Sequence, residues 1–382
     1  MDEPNEVWKE GQLKDVAIVV MGQSPKGESC TEDSSNGTAL LNGPTEFGIR
    51  FPTPVQYTSA PTRFSVPDDV LFCVRGSTTG RMNWSDREYV IGRGLAAIRH
   101  KSGKDFQYFV RGVLDHNLQS LLNTATGSTF PSVSREQIEG LEILIPPLVE
   151  QRSIASLLSS FDDKVDLLHR QNKTLEALAE TVFREWFLRD SVEKVPITHY
   201  VEFNPIRKLS KGSVAPYLDM AGVSTSTFNP TGWYDREFTS GTKFRNDDTL
   251  LARITPCLEN GKTAFVTFLR QDQVGWGSTE FIVMRSKETL STFFTYTLAR
   301  NQDFRDYAEG CMAGSSGRQR VDVEHLQQFQ LGRVDPDSMR EFNRILTSIP
   351  PKLHQNMLQI NTLQKIRDTL LPKLMSGEVR AI

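Results

Sequence analysis

Two amphipathic stripes, 188 positions apart, constrain the fold of this 382-residue chain more than any other feature. In residues 160–190, apolar side chains recur at alternating spacings of three and four, the heptad pattern of a helix that packs against one partner helix. Adding 188 to each position yields a second stripe, in a segment that Pro350 opens and Gly377 closes. The predicted helix seam comprises Val165, Leu168, Asn172, Leu175, Ala179, Val182 and Trp186, and Leu353, Asn356, Ile360, Leu363, Arg367, Leu370 and Leu374.

If the two helices pair antiparallel and the two stripes overlap along their whole length, the pairing register is fixed. In that register Asn172 faces Arg367. Residues 148–158 and 339–348 are expected to form short separate helices, the second of them ended by the proline pair that begins at Pro350. A helix of about 30 residues is roughly 45 Å long at about 1.5 Å per residue, so the pair is expected to be a rod that holds two domains apart.

The segments that flank the helices repeat one plan. A strand-like run at 69–75 is echoed at 248–253, and a glycine-containing turn at 91–94 is echoed at 274–277. A repeat of this size indicates two domain-plus-helix units. We therefore expect an α+β fold in which two similar globular α/β domains are separated by two long helices that form an antiparallel intramolecular coiled coil. The expected ranges are domain 1 at 1–147, helical spacer 1 at 148–190, domain 2 at 191–335 and helical spacer 2 at 336–382.

Periodicity also predicts single elements inside the domains. The apolar spacing favours a helix over 106–122. A second domain helix is expected over 292–304 and a strand over 137–145, and residues 95–99 form a further apolar run.

Charge and cysteine content narrow the class of protein. The net charge of −3 argues against a highly basic nucleic-acid coat protein, although it leaves room for local basic surfaces. The four cysteines lie far apart without C-x-x-C spacing, so we interpret them as reduced thiols of a cytoplasmic protein. The apolar runs are too short to span a bilayer, and the residues that follow Met1 do not have the pattern of a signal peptide.

Candidate catalytic motifs in the sequence lack essential residues. Residues 260–263 resemble the end of a P-loop, but Pro256 stands where that motif requires its first glycine. The six histidines include no pair with zinc-ligand spacing, and the Asp-Asp pairs that begin at Asp68 and Asp247 are typical of turns and caps. We therefore predict no catalytic residue, no metal site and no cofactor on this chain.

Polar loops at matching places in both halves suggest a nucleic-acid surface. Arg, Asn and Gln side chains can contact base edges in pairs of hydrogen bonds, while Ser, Thr and Lys reach phosphates. The candidate DNA-binding residues are Arg75, Ser77, Thr78, Thr79, Arg81, Arg93, Thr126, Ser128 and Thr129 in the first half, and Arg253, Thr255, Asn260, Lys262, Trp276, Ser315, Arg318, Gln319 and Arg320 in the second.

Several of these segments together resemble one family. Residues 21–25 (MGQSP), the stretch 204–220, the repeated Gly-Ser-Thr loops and residues 182–187 (VFREWF) are similar to the specificity (S) subunit of Type I restriction–modification systems. The resemblance covers essentially the whole chain, including the duplicated order of domain and helix. The second helix departs from the first at its end, where residues 374–377 (LMSG) replace the Trp-Phe pair.

The resemblance implies a role and partners. Each domain would be a target recognition domain that reads one half of a bipartite sequence in double-stranded DNA, and the helices would set the spacing between the halves. Two methyltransferase (M) subunits would dock on the helices, and restriction (R) subunits would complete an ATP-dependent nuclease. S-adenosylmethionine and ATP would bind those partners, which leaves this chain non-catalytic. A stand-alone DNA-modifying enzyme and a coiled-coil scaffold without a DNA role are the alternatives.

Overall fold

Eight α-helices are seen in the part of the chain that the computed structural model describes, residues 7–126, 131–189, 193–225, 227–314 and 319–381. The chain divides into two compact units, and each long helix contributes one half to each unit. Unit 1 comprises Met1–Leu167 and Ile360–Ile382, and unit 2 comprises Leu168–Gln359. The helices are α1 (Leu13–Val16), α2 (Gln107–Asn123), α3 (Arg135–Glu139), α4 (Leu148–Phe187), α5 (Phe294–Arg300), α6 (Gln302–Gly310), α7 (Val323–Leu326) and α8 (Pro336–Met375).

The long helices α4 and α8 are continuous, with 40 residues each. The prediction of separate short helices before them is therefore wrong. A proline inside a helix removes one backbone hydrogen bond and costs on the order of 3 kcal/mol. The helix nevertheless continues past Pro350, and the flanking residues Leu346, Ile349 and Leu353 are all buried. Burial of such an apolar face offsets the proline cost. Gly377, at φ 75°, follows the end of α8, as predicted.

Every predicted seam residue is buried or partly buried, but the predicted register is wrong. In unit 2, Asn356 Nδ2 donates to Asn172 Oδ1 at 2.7 Å, so Asn172 does not face Arg367. The rings of Trp186 and Phe342 lie 5.4 Å apart, which gives the same register. The shift is about three helical turns along α8. Both helices begin earlier than predicted, so their apolar faces are longer. The observed alignment buries Asn356 beside the amide of Asn172, which gives its side chain a hydrogen-bond partner.

In unit 1 the corresponding halves of α4 and α8 are joined by an ion pair. Arg367 Nη1 lies 2.8 Å from Asp162 Oδ1. The guanidinium is thus paired with a carboxylate of α4, and this contact follows the same shifted register. Apolar residues of both helices, including Ile154, Leu158 and Leu374, enter the main core of unit 1.

The described residues of unit 1 form three sheets. Their strand orders are β1-β11, β2-β10-β7-β8 and β3-β5-β4-β9-β6, with β4 and β9 parallel and the other neighbours antiparallel. The strands are β1 (Lys9–Gln12), β2 (Ala17–Met21), β3 (Cys30–Thr31), β4 (Thr38–Leu41), β5 (Gln56–Thr58), β6 (Phe64–Ser65), β7 (Val70–Cys73), β8 (Met82–Trp84), β9 (Tyr89–Ile91), β10 (Leu95–His100) and β11 (Glu142–Ile145). Short 3-10 helices cover Gly27–Ser29, Ser34–Asn36, Pro44–Glu46 and Lys104–Phe106.

Unit 2 repeats most of this topology, with a four-stranded sheet in place of the five-stranded one. Its sheets are ordered β12-β23, β13-β20-β17-β18 and β15-β14-β19-β16, with β14 and β19 parallel, and a small sheet β21-β22 is added. The strands are β12 (Lys194–Pro196), β13 (Val201–Phe203), β14 (Val214–Leu218), β15 (Tyr234–Glu237), β16 (Thr242–Phe244), β17 (Thr249–Ala252), β18 (Thr263–Phe265), β19 (Gly275–Gly277), β20 (Phe281–Ser286), β21 (Met312–Ala313), β22 (Arg320–Val321) and β23 (Gln330–Gly332). A 3-10 helix covers Ile197–His199.

The two units therefore carry two similar domains in an α+β fold, as expected. Two single elements differ from the prediction. Residues 137–145 divide between α3 and β11, and α3 has a capping box between Ser134 and Gln137. Residues 292–304 divide between α5 and α6, because the side chain of Asn301 accepts the backbone N–H of Phe304 and begins a new helix. Among the described residues, no helix is long and apolar enough to cross a membrane.

Candidate nucleic-acid interface

In unit 1, three polar segments meet beside the central strand β7. Loop 74–81 follows β7, turn 92–94 leads into β10, and the strap 131–133 lies between α2 and α3. We call this group the first corner. Strand ends next to a buried sheet are fixed by the core, so the loops that leave them present side chains from a firm base.

Backbone hydrogen bonds hold the first corner together. Val74 N donates to Gly94 O at 2.9 Å, which ties the loop to the turn. Val133 N donates to Val74 O at 2.9 Å, and Gly76 N donates to Pro131 O at 3.1 Å. The loop and the strap are therefore paired residue by residue, and the turn is attached on the other side.

The candidate side chains of the first corner divide into exposed and anchored groups. Arg75, Ser77, Arg81 and Arg93 are exposed, and Thr126, beside the strap, is exposed as well. The three arginines and Ser77 can therefore reach a ligand, whereas Thr126 Oγ1 donates to Ser132 O at 3.3 Å.

The two threonines of the loop have partners within it. Thr79 Oγ1 lies 2.7 Å from Gly76 O and 2.8 Å from Pro131 O, so its hydroxyl fastens the loop to the strap. Thr78 Oγ1 lies 3.7 Å from Cys73 Sγ. Both threonines are partly buried and shape the loop.

Unit 2 has an equivalent second corner, formed by loop 253–262, turn 278–280 and strap 319–321. Arg253 N donates to Glu280 O at 2.9 Å, and Val321 N donates to Arg253 O at 2.8 Å. Thr255 N donates to Gln319 O at 3.2 Å. These bonds match those of the first corner one for one, so the same backbone arrangement occurs twice.

The second corner is more tightly bonded internally than the first. Arg253 Nη2 donates to Val321 O at 2.8 Å, and Lys262 Nζ donates to Met220 O at 2.6 Å. Both side chains are partly buried, as are those of Thr255 and Gln319. Among the candidates with described positions in this corner, the exposed ones are Asn260 and Arg320.

Arg320 is bound to a carboxylate that sequence reasoning did not select. Its Nε lies 3.0 and 2.9 Å from the two carboxylate oxygens of Glu280, and its Nη2 lies 2.6 Å from Oε1. The guanidinium of Arg320 holds the pKa of Glu280 below its usual range, and the carboxylate raises the pKa of Arg320. Both groups are therefore ionised at neutral pH.

Four candidates lie outside the described residues: Ser128, Thr129, Ser315 and Arg318. Their assignment stays a prediction from the sequence.

Comparison with known proteins places the fold. Residues 5–177 match the model of the Type I restriction modification DNA specificity domain. Residues 5–177 are therefore similar to this specificity domain, and they make up somewhat less than half of the chain. An S subunit of a Type-I restriction-modification system from M. genitalium has the same fold, with a TM-score of 0.57 and 17% identity over 98% of this chain and 97% of that one.

Curated relatives agree with this family. The MjaX specificity subunit of Methanocaldococcus jannaschii is 32% identical over 158 residues, which are 41% of this chain and 37% of that protein. The MjaIX specificity subunit of the same organism is 24% identical over 315 residues, 70% of each chain. The EcoAI specificity subunit of Escherichia coli is 26% identical over 223 residues, 55% of this chain and 37% of that protein. The match thus spans well under two thirds of the length of the first and third of these relatives.

In unit 2, Trp276 is a core residue and not a candidate contact. The ring is 2% exposed, in the middle of β19. The parallel strand pairs give the reason: Val90 pairs with Leu40, and Trp276 takes the equivalent place opposite Tyr217. The prediction is wrong because it matched Trp276 with Arg93 of the turn. The strand pairs match Trp276 with Val90, three positions before Arg93.

Two arginines of unit 2 hold the loop of the second corner and were missed by the sequence analysis. Arg300 Nη1 lies 2.8 Å from Thr225 O and 3.1 Å from Gly261 O. Arg305 Nη2 donates to Glu259 O at 2.7 Å. Both arginines come from the pair α5 and α6, and their bonds go to main-chain oxygens. No sequence pattern signals such contacts, because any residue supplies a carbonyl.

Proposed function

We propose that this chain is the DNA-reading subunit of a Type I restriction–modification complex and that its two corners each read one half of a bipartite target. The duplicated corner is the observation that carries the proposal. Each corner rests on buried strands and presents exposed arginines, among them Arg75 and Arg81 in the first and Arg320 in the second. Arginine is the residue best suited to bidentate contacts with guanine and with phosphate.

The proposal includes the partners that the resemblance implies. Two methyltransferase subunits bind along the long helices, and restriction subunits join the assembly. The chain itself is non-catalytic, and S-adenosylmethionine and ATP bind the partner subunits in the cytoplasm, where the complex meets DNA. The domain ranges 1–147 and 191–335 are the two target recognition domains.

The first experiment measures DNA recognition directly. The chain, with its methyltransferase partner, is used to select duplexes from a random library, and the methylated adenines are then mapped by sequencing. We expect a two-part target with an unread gap. We also expect the binding constant to fall with salt, with a slope of about −0.9 per phosphate contacted. Selection of no sequence at all would refute the proposal.

A paired insertion tests whether the long helices set the gap. One heptad is added to α4 and one to α8, at opposite positions, so that the seam is kept. Each heptad adds about 10 Å of helix, or roughly three base pairs at about 3.4 Å each. We expect the gap to lengthen while both half-sites stay the same. A single insertion in α4 alone is the matched control, because it breaks the seam. An unchanged gap in the paired variant contradicts the spacer role.

A stand-alone enzyme and a scaffold are separated from this proposal by two simple assays. An enzyme would methylate or cleave DNA when the purified chain alone is supplied with S-adenosylmethionine or a divalent metal ion. A scaffold would assemble the partners but leave their DNA preference unchanged when Arg75 and Arg320 are both replaced by alanine.

A further inference from the structure

The Arg320–Glu280 pair has a geometry that leaves one edge of the guanidinium open. An arginine has five N–H donors in a planar fork. Glu280 takes the side edge, formed by Nε and Nη2. The end edge, formed by Nη1 and the second hydrogen of Nη2, remains, and Nη1 has no hydrogen-bond partner among the described residues. The side chain of Arg320 is 48% exposed, so about half of it is accessible to a ligand.

The backbone around the pair fixes its direction. Arg320 is in β22, where it pairs with Ala313, and it also forms a β-bridge with Ile254 of the loop. Glu280 is held from the other side, because its carbonyl accepts the N–H of Arg253. Both ends of the ion pair therefore rest on the same paired backbone, and little side-chain entropy is left to lose on binding.

We propose that Arg320 reads a guanine in the half-site of the second domain and that Glu280 orients it as a positioning residue. This inference rests on the proposed function. A fork whose side edge is fixed by a carboxylate presents its end edge to the O6 and N7 acceptors of guanine in the major groove.

The neighbouring carboxylate favours a base over a phosphate as the ligand. A phosphate on the end edge would lie close to the negative charge of Glu280, and like charges at such distances repel. The guanine edge carries acceptors without a net charge, so Glu280 adds orientation there without opposing the contact. Because its pKa is lowered, Glu280 is ionised at neutral pH, and the repulsion of a phosphate is present there.

The first corner supplies the contrast. The backbone bonds place Ser132 where the second corner has Arg320, and Gly94 where it has Glu280. The first corner therefore has neither the fork nor the carboxylate at this place. A guanine contact of this kind belongs to the second half-site alone, which makes the first half-site an internal control.

The experiment uses library selection with the chain and its methyltransferase partner. Four variants are compared with the unchanged chain: Arg320→Ala, Arg320→Lys, Glu280→Gln and, as a matched control, Arg333→Ala. Arg333 is also an exposed arginine of unit 2 paired with a glutamate, and it lies outside the corner. Thermal unfolding of each variant shows whether the fold is kept.

We expect the unchanged chain to require a G·C pair at one position of one half-site. Arg320→Ala relaxes that requirement by about 5- to 150-fold, the range for one bidentate base contact. Arg320→Lys relaxes it as well, because lysine keeps the charge but lacks the fork. Glu280→Gln has a smaller effect on the same position, since it loosens the orientation only. Arg333→Ala has none.

Three results overturn the inference. The first is an unchanged preference at every position in Arg320→Ala. The second is wild-type discrimination in Arg320→Lys, which shows that the planar fork is not needed for the contact. The third is relaxation in the half-site that Arg75→Ala also alters. In the first two results the unchanged chain still selects a two-part target, so the proposed function stands. The third result also contradicts the assignment of one half-site to each corner. If the unchanged chain selects no sequence, both proposals fall together.

Discussion

The two corners share their backbone and differ in almost every side chain that the backbone presents. The bond from Val133 to Val74 in the first has its counterpart from Val321 to Arg253 in the second. The β-bridge from the strap meets Arg75 in one and the apolar Ile254 in the other. The arginines of the two loops are therefore not equivalent. A protein that reads an asymmetric target needs different side chains on the same backbone arrangement. The side chains that give specificity are then ones that the backbone does not need for folding.

The support beneath each corner is nearly the same. Both domains bury an aspartate just before the central strand, Asp69 and Asp248, which are 1% and 0% exposed. Each accepts a backbone N–H, from Val66 at 2.8 Å and from Arg245 at 2.7 Å. Burial raises the pKa of both carboxyl groups, in spite of the arginines beside them.

The arginine partners of these aspartates differ in number. Asp69 has Arg99 at 2.7 Å, while Asp248 has Arg285 at 2.7 Å and Arg207 at 3.3 Å. The buried carboxylate of Asp248 thus has one more arginine partner than that of Asp69.

The largest predicted effect is the loss of these aspartates. Asp248→Ala leaves two guanidinium groups without their shared partner, and we expect a cost of about 3–5 kcal/mol in the free energy of unfolding. Asp69→Ala leaves one such group, so we expect a cost about 1 kcal/mol smaller. Urea unfolding measures both, with hydrogen exchange to tell which domain is affected. The exposed Asp235→Ala is the control. A larger cost for Asp69→Ala would break the comparison.

A smaller effect is expected in the helix pair. In unit 2, Asn172→Ala removes the 2.7 Å bond of Asn356, which is 0% exposed, and leaves its amide the longer 3.5 Å bond to Gln171, so we expect a cost of about 1–3 kcal/mol. In unit 1, Asp162→Ala removes a carboxylate from Arg367, whose side chain is 33% exposed, and we expect a cost of about 1 kcal/mol or less. Chemical denaturation compares the two. Equal costs would show that the Asn172–Asn356 hydrogen bond stabilises the helix pair no more than the Arg367–Asp162 ion pair does.

The smallest effect concerns the contact between each half of α4 and its own domain. In unit 1 that contact is an ion pair, Arg50 Nη2 to Asp163 Oδ1 at 2.6 Å. In unit 2 it includes Glu176, which accepts a hydrogen bond from the hydroxyl of Tyr296 at 3.3 Å. Burial raises the pKa of Glu176 from 4.5, against a smaller opposing effect of Arg300.

A raised carboxyl pKa means that the folded state favours the protonated form, so the charged form costs stability at neutral pH. We expect Glu176→Gln to gain stability at pH 7, by less than the changes above cost. The gain should begin to shrink as the pH falls through the raised pKa, and it should vanish below 4.5. Thermal melts across that range test it, with Asp163→Asn as the control in unit 1. A gain independent of pH would contradict this account.

The sequence predicted what depends on periodicity. The seam residues of both helices and the strands β7 and β10 follow from apolar spacing, and the fold class follows from the repeat. The register of α4 and α8 could not be predicted in this way, because it is set by polar partners, Asn172 with Asn356 and Arg367 with Asp162. Heptad spacing alone fits several registers almost equally well.

The candidate site was less predictable than the fold. Exposed loop arginines such as Arg75 and Arg81 were found because they follow a strand. Trp276 was misassigned because the repeat was aligned on a glycine pattern, although the parallel strand pairs align it three residues away. Glu280 was missed because its importance comes from Arg320, 40 positions along the chain.

The most direct test of the account compares Arg75→Ala with Arg320→Ala in the same selection experiment, with the methyltransferase partner present. The account predicts that each variant changes base preference in one half of the target only, and that the two variants change different halves. If both variants altered the same half, or if each altered both halves, the two corners would not be separate readers and the central claim would be wrong.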